Sequence, residues 1–138
     1  MDADLIAEKL EALRRCVVRL EQKRPTSVEA LAVDLDRQDV IVLNLQRAVQ
    51  LCVDIAANLI AESDEPAPMT MGEVFDALAR MGIVTPDLAT RLRKAVGFRN
   101  IAVHAYHAID WVIVFNIVQH RLEDFRDFAR SISARGPV

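Results

Sequence analysis

A chain of 138 residues, 52% hydrophobic and 27% charged, is long enough for one domain with its own core and too apolar to remain disordered. Its formal net charge of −3 excludes capture of nucleic acid by the overall field of the molecule. The apolar runs, such as residues 109–117, are broken by Asp110 and Asn116 and fall short of the roughly 20 residues that span a bilayer, so no membrane segment is expected.

The acidic start Met1-Asp2-Ala3-Asp4 leads directly into a helical pattern, so no signal peptide is expected. A first helix is predicted over about 2–23, because Ile6, Leu10, Leu13, Val17 and Leu20 recur at spacings of four and three. Arg24-Pro25 ends it, since the residue before proline is pushed out of helical geometry. Thr26-Ser27-Val28-Glu29 reads as a capping box that opens a short helix over 27–34, and Asp34 to Arg37 as a bend into a long helix over about 36–62. Leu45, Ala48, Cys52, Ile55 and Leu59 form the apolar stripe of that long helix. A second stripe, Arg47, Gln50, Asp54 and Asn58, is polar and mostly uncharged, which suits either a solvent face or the wall of a wet cleft. Cys16 and Cys52 both lie on apolar stripes and read as reduced core residues of a cytoplasmic protein, with a buried bridge as the alternative.

Residues 63–68 carry two prolines and no periodicity, so they form a loop. Thr70-Met71-Gly72-Glu73 is a second capping box, and the helix it opens presents Val74, Phe75, Leu78 and Met81 on one face. Gly82 is placed to end it in left-handed geometry. Thr85-Pro86 starts the next helix with a hydroxyl cap and proline at its first position. Leu88, Leu92 and Ala95 face inward on this helix. Arg80, Arg91, Arg93, Lys94 and Arg99 lie close in sequence with only Asp87 among them, either a basic patch or a solvated face. A last helix is predicted over about 110–133, where Trp111, Phe115, Val118, Leu122, Phe125 and Ile132 keep the four-three rhythm, with a frayed tail over 134–138.

The stretch from Gly97 to Tyr106 sets Arg99, Asn100, His104 and Tyr106 among the apolar or small residues Ile101, Ala102, Val103 and Ala105. Arg99 falls where the apolar stripe expects leucine. A helix that buries its face does not ordinarily carry Arg and His, so the segment is either a locally satisfied turn or the lining of a site. Five residues on an unbroken helix splay Arg99 and His104 by roughly 140°. Joint action therefore needs a bend between them or a second copy of the chain, and Tyr106 shares the Arg99 face only if the helix continues. His104 and His107 lack a second pair of ligands nearby, so no metal and no cofactor is expected. Arg with His and no metal suits RNA transesterification: imidazole moves the proton of the ribose 2′-hydroxyl or of the leaving 5′-oxygen, and guanidinium binds the phosphate.

Arg99-Asn100-Ile101-Ala102-Val103-His104-Ala105-Tyr106 resembles the R-N-x-x-V-H-x-Y signature of HepT-like toxins of the HEPN superfamily. Residues 27–36, 45–56 and 71–92 resemble the corresponding parts of that family, so the likeness extends over nearly the whole chain. The one departure is Ala102, where members often carry a larger aliphatic, a packing difference. The resemblance implies an all-α, up-and-down bundle of four to five helices, a single HEPN/HepT-like domain over 1–138 and a homodimer. It implies a metal-independent endoribonuclease toxin of a type VII toxin–antitoxin pair, with both copies of the motif meeting in a cleft. Arg99 and His104 are then catalytic. Tyr106 is the residue that a MntA-like nucleotidyltransferase antitoxin modifies by transferring AMP. Asn100, Arg47, Gln50 and Asp54 are expected to support the site, Gln50 or Asp54 by orienting Arg99 or His104. The alternative within the same superfamily is a non-catalytic, nucleotide-binding or scaffolding partner of a nucleotidyltransferase.

Overall fold

A computed structural model describes residues 3–135. Among these residues the chain forms seven α-helices and no strand: α1 Ala3–Gln22, α2 Val28–Val33, α3 Leu35–Ala61, α4 Glu73–Arg80, α5 Pro86–His104, α6 Trp111–His120 and α7 Leu122–Ala134. A 3-10 turn, Tyr106–Ala108, separates α5 from α6. The all-α bundle agrees with the sequence. The helices read in chain order number six, and the seventh arises because the predicted helix over 110–133 is two helices; the total exceeds the four to five of the expected bundle. The tail over 136–138, like the first two residues of the chain, lies outside the described residues.

Most helix ends follow local chemistry. The Thr85 hydroxyl accepts from the Leu88 amide at 3.1 Å, with Pro86 in the first turn. Asp34 caps α3 through the Arg37 amide at 3.0 Å. Among the described residues Gly82 alone takes a positive φ, 75°, as a residue ending α4 must. The first capping box is shifted by one residue: Ser27, not Thr26, accepts from the Ala30 amide at 3.0 Å. The Thr70 box does close, with Glu73 accepting from the Thr70 amide and Thr70 from the Glu73 amide. It closes a turn, however, and α4 begins only at Glu73.

Helix α3 is the axis of the fold. It packs against α1, α2, α4, α5 and α7, and its Ile41, Leu45, Ala48, Cys52, Ile55 and Ala56 are fully enclosed. By length and composition alone it is apolar enough to cross a membrane, which the short runs noted in the sequence did not suggest. The bundle accounts for that character, since 56% of the apolar window is buried among the neighbouring helices. Cys16 and Cys52 are both free and buried, and burial pushes each thiol up from its ordinary value.

The aromatic weight of α7 meets α4 at Phe128, whose ring stands edge-on to Phe75 with centroids 6.0 Å apart and planes at 88°. Both side chains are fully buried. Phe128→Ala is expected to destabilise the bundle by about 3–5 kcal/mol, read as a drop in the denaturant midpoint at unchanged slope. A loss below about 1 kcal/mol would show that the site collapses around the missing ring.

Candidate active site at the end of α5

Helix α5 buries Leu88, Ala89, Leu92, Val96 and Ala102 against the core. Ala95, expected inward, is only half-buried. Arg99 emerges at the rim of this stripe, half-buried, and its guanidinium reaches across to α3. Its Nη2 donates to Gln50 Oε1 at 3.3 Å; its Nη1 donates to Asn100 Oδ1 at 3.3 Å and lies 3.7 Å from Met71 Sδ. Gln50 in turn donates through Nε2 to Asp54 Oδ1 at 2.8 Å. Lys9 on α1 lies 3.7 Å from the other Asp54 oxygen, and Asn58 donates to the Asp54 carbonyl at 2.8 Å. Gln50, Asp54 and Asn58 of the polar stripe of α3 therefore form a bonded ladder that ends on the acceptor oxygen of Gln50. Three of the residues expected at the site, Arg99, Gln50 and Asp54, form one chain of contacts, with Asn100 beside them.

The electrostatic consequence is specific. Arg99 is held by neutral acceptors and has no carboxylate partner among the described residues. Such a frame fixes the plane of the guanidinium and leaves its charge unneutralised, which is the state that binds a phosphate. Its basic neighbours in sequence differ. Arg80 pairs with Glu65 at 2.9 Å, Arg93 with Asp76 at 2.8 Å, and Arg91 with Asp124 at 2.8 Å and also with Asp87. The stretch of cations is thus mostly an ion-paired helix face, not a basic patch, and Arg99 stands apart from it.

His104 is the last residue of α5, exposed, and bonded through its side chain to no other described residue. The helix runs unbroken from Arg99 through His104, so it does not end between them. Their splay of roughly 140° stands within one chain. Ala105 then leaves helical geometry at φ −148° and ψ 56°. Tyr106 consequently does not share the Arg99 face. Its hydroxyl donates instead to Asp39 Oδ1 on α3 at 2.7 Å, and its ring packs edge-on to Trp111 at 6.2 Å. Burial, followed by the Asp39 contact, pushes the phenol up to about 12. Asp39 and Met71 are contacts that sequence reasoning missed; each is far from its partner along the chain, and neither belongs to a periodic pattern.

Arg47 joins neither cluster. It lines a groove of about 580 Å³ between α1 and α3, with Arg15, Arg19, Gln50 and Asp54. The groove thus shares two residues with the ladder that ends at Arg99. Among the described residues no three His, Cys, Asp or Glu side chains come together as a metal cage.

Comparison with known proteins gives findings of the same kind. The sequence profile of the family described as Ribonuclease HepT-like matches residues 6–132. The chain is 37% identical over 131 residues to the mRNA nuclease HepT of Shewanella oneidensis, a match covering 95% of this chain and 98% of that protein. It is 26% identical over 130 residues to the tRNA nuclease HepT of Aphanizomenon flos-aquae, covering 94% of this chain and 88% of that protein. Among solved structures, the tri-AMPylated Shewanella oneidensis HEPN toxin in complex with MNT antitoxin matches with a TM-score of 0.88. Identity there is 36%, over 97% of this chain and 99% of that one.

Proposed function

The chain belongs to the ribonuclease HepT-like family, and from that premise we propose that it is the endoribonuclease toxin of a toxin–antitoxin pair, acting as a homodimer without a metal. One HEPN/HepT-like domain over 1–138 carries the activity in the cytoplasm. The observation that supports this most directly is the Arg99 guanidinium, oriented by Gln50 and Asn100 while keeping its charge.

The chemistry follows from the residues. The imidazole of His104 takes the proton of a ribose 2′-hydroxyl, and the 2′-oxygen attacks the adjacent phosphorus. The 5′-oxygen leaves with a proton, and a 2′,3′-cyclic phosphate remains on the other fragment. Arg99 binds the non-bridging oxygens and stabilises the charge that develops on them. Since one α5 splays the two side chains, the complete set comes from two protomers about a common cleft. Two copies also supply two histidines, one as base and one as acid. Arg47, with Arg15 and Arg19, extends the cation track away from the reacting phosphate along the groove. RNA is therefore the substrate, and mRNA and tRNA, named for the two relatives, are the classes to try first.

The partner is a MntA-like nucleotidyltransferase that neutralises the toxin by placing AMP on Tyr106. Tyr106 is 41% exposed, two residues beyond His104. A phosphodiester there would add negative charge and bulk beside the cleft and oppose the RNA backbone on both counts.

The test is direct. Purified chain incubated with RNA in excess EDTA is expected to give fragments ending in 2′,3′-cyclic phosphate. Cleavage that EDTA abolishes would remove the metal-free mechanism. Tight binding of nucleotide or RNA with no cutting would favour the non-catalytic partner reading instead.

A further inference from the structure

We propose that the Asp39 carboxylate is the base that receives the phenol proton of Tyr106 when that hydroxyl is adenylylated. The proposal rests on the adenylylation reading above and adds to it a residue of this chain. The target would thus carry the base for its own modification.

Geometry carries it. The chain leaves α5 at Ala105 and turns Tyr106 back onto the second turn of α3, bringing together residues 67 apart in sequence. The phenol oxygen donates to Asp39 Oδ1 at 2.7 Å, the short separation of a charge-assisted O–H···O⁻ bond. Trp111 also packs against the ring, at 6.2 Å between centroids and 66° between planes. Holding a side chain by two contacts is costly where it does nothing, since an exposed phenol is solvated well by water. Yet Tyr106 keeps 41% of its surface open to a second protein. Asp39 is itself exposed, so a proton that it takes can pass on to water. His107, next along the turn, makes no hydrogen bond to the phenol among the described residues.

The Tyr106 oxygen attacks the α-phosphorus of a nucleoside triphosphate held by the transferase. The oxygen–phosphorus bond forms, the bond to the β-phosphate bridging oxygen breaks, and pyrophosphate leaves. The phenol proton goes to Asp39 Oδ1. With the phenol pushed up to about 12, almost no phenolate exists near neutrality, so the proton must be removed as the attack proceeds. A base already at hydrogen-bond distance meets that need. The product no longer has a proton to donate, so the contact that held Tyr106 on α3 ends with the reaction.

The experiment measures initial rates of AMP incorporation, by intact mass, with the full chain, its nucleotidyltransferase and ATP. The wild-type rate is expected to change little between about pH 7 and 9. That of Asp39→Asn is expected at least about 100-fold lower at pH 7 and rising about tenfold per pH unit, as hydroxide replaces the lost base. Asp39→Glu should restore a flat profile and most of the rate. A merely structural tether would lower the melting temperature of Asp39→Asn without changing the pH slope. An Asn variant modified at the wild-type rate would place the base in the transferase and overturn the proposal. So would a wild-type rate that itself rises tenfold per unit, a result that holds even if the Asn variant fails to fold. A wild-type chain that cuts RNA but gains no AMP would overturn the adenylylation reading itself, and Asp39 with it.

Discussion

RNA cleavage by the His104→Ala chain is expected to fall at least about 100-fold below wild type, the lower end of what a positioned general acid or base contributes. The substitution is clean in structural terms. His104 sits exposed on the last turn of α5, its side chain bonded to no other described residue, so its removal opens no cavity and strands no buried polar group. Stability should change by no more than about 0.5 kcal/mol, the ordinary range for such a surface position. A loss of rate at an unchanged melting temperature then reads as chemistry. In cells, growth arrest by the unmodified toxin should disappear together with cleavage in vitro. Retained cleavage would remove His104 from the mechanism and leave Arg99 as a binding residue only. Arg99→Ala is the less informative variant, because it also frees Gln50 and Met71 from their contacts.

That contrast between the two residues shows what a sequence can disclose. His104 and Arg99 are both visible as polar intrusions in an apolar pattern, and the resemblance of the motif implies roles for them. Their surroundings are not equally visible. The Gln50–Asp54 bond is an i,i+4 contact on one helix, within reach of spacing rules. The bond from Arg99 to Gln50 joins residues 49 apart, and only the packing of α5 on α3 creates it. The expectation that Gln50 or Asp54 orients Arg99 can be framed from sequence but not decided there. The structure places Gln50 in contact, with Asp54 behind it. Tyr106 marks a different boundary. Spacing puts it on the Arg99 face provided that the helix continues, yet no Gly or Pro marks the stop at His104. The break at Arg121 is hidden for the same reason, because the apolar rhythm of α6 runs on into α7 across an unmarked residue. Capping chemistry is legible wherever a hydroxyl or a glycine stands at the end, as at Thr85 and Gly82.

Tyr106→Phe is expected to abolish AMP incorporation by the nucleotidyltransferase and so to leave the toxin active in cells that express its partner. The phenyl ring can keep its edge-on contact with Trp111, since only the hydroxyl is lost. Asp39 gives up one hydrogen bond but is exposed, so water replaces the donor and the cost stays near ~1 kcal/mol. The fold should therefore survive, and a chain that still cuts RNA while resisting its antitoxin separates modification from cleavage. Intact mass after co-expression is the measurement: the wild type gains adenylyl groups and the Tyr106→Phe variant gains none. A variant that still gains them would move the acceptor to another hydroxyl. One that escapes modification but is still silenced by its partner would mean that binding, not the anionic group on the phenol, blocks the cleft. The two outcomes differ in kind, because occlusion scales with partner concentration while a covalent phosphodiester persists after the partner is removed.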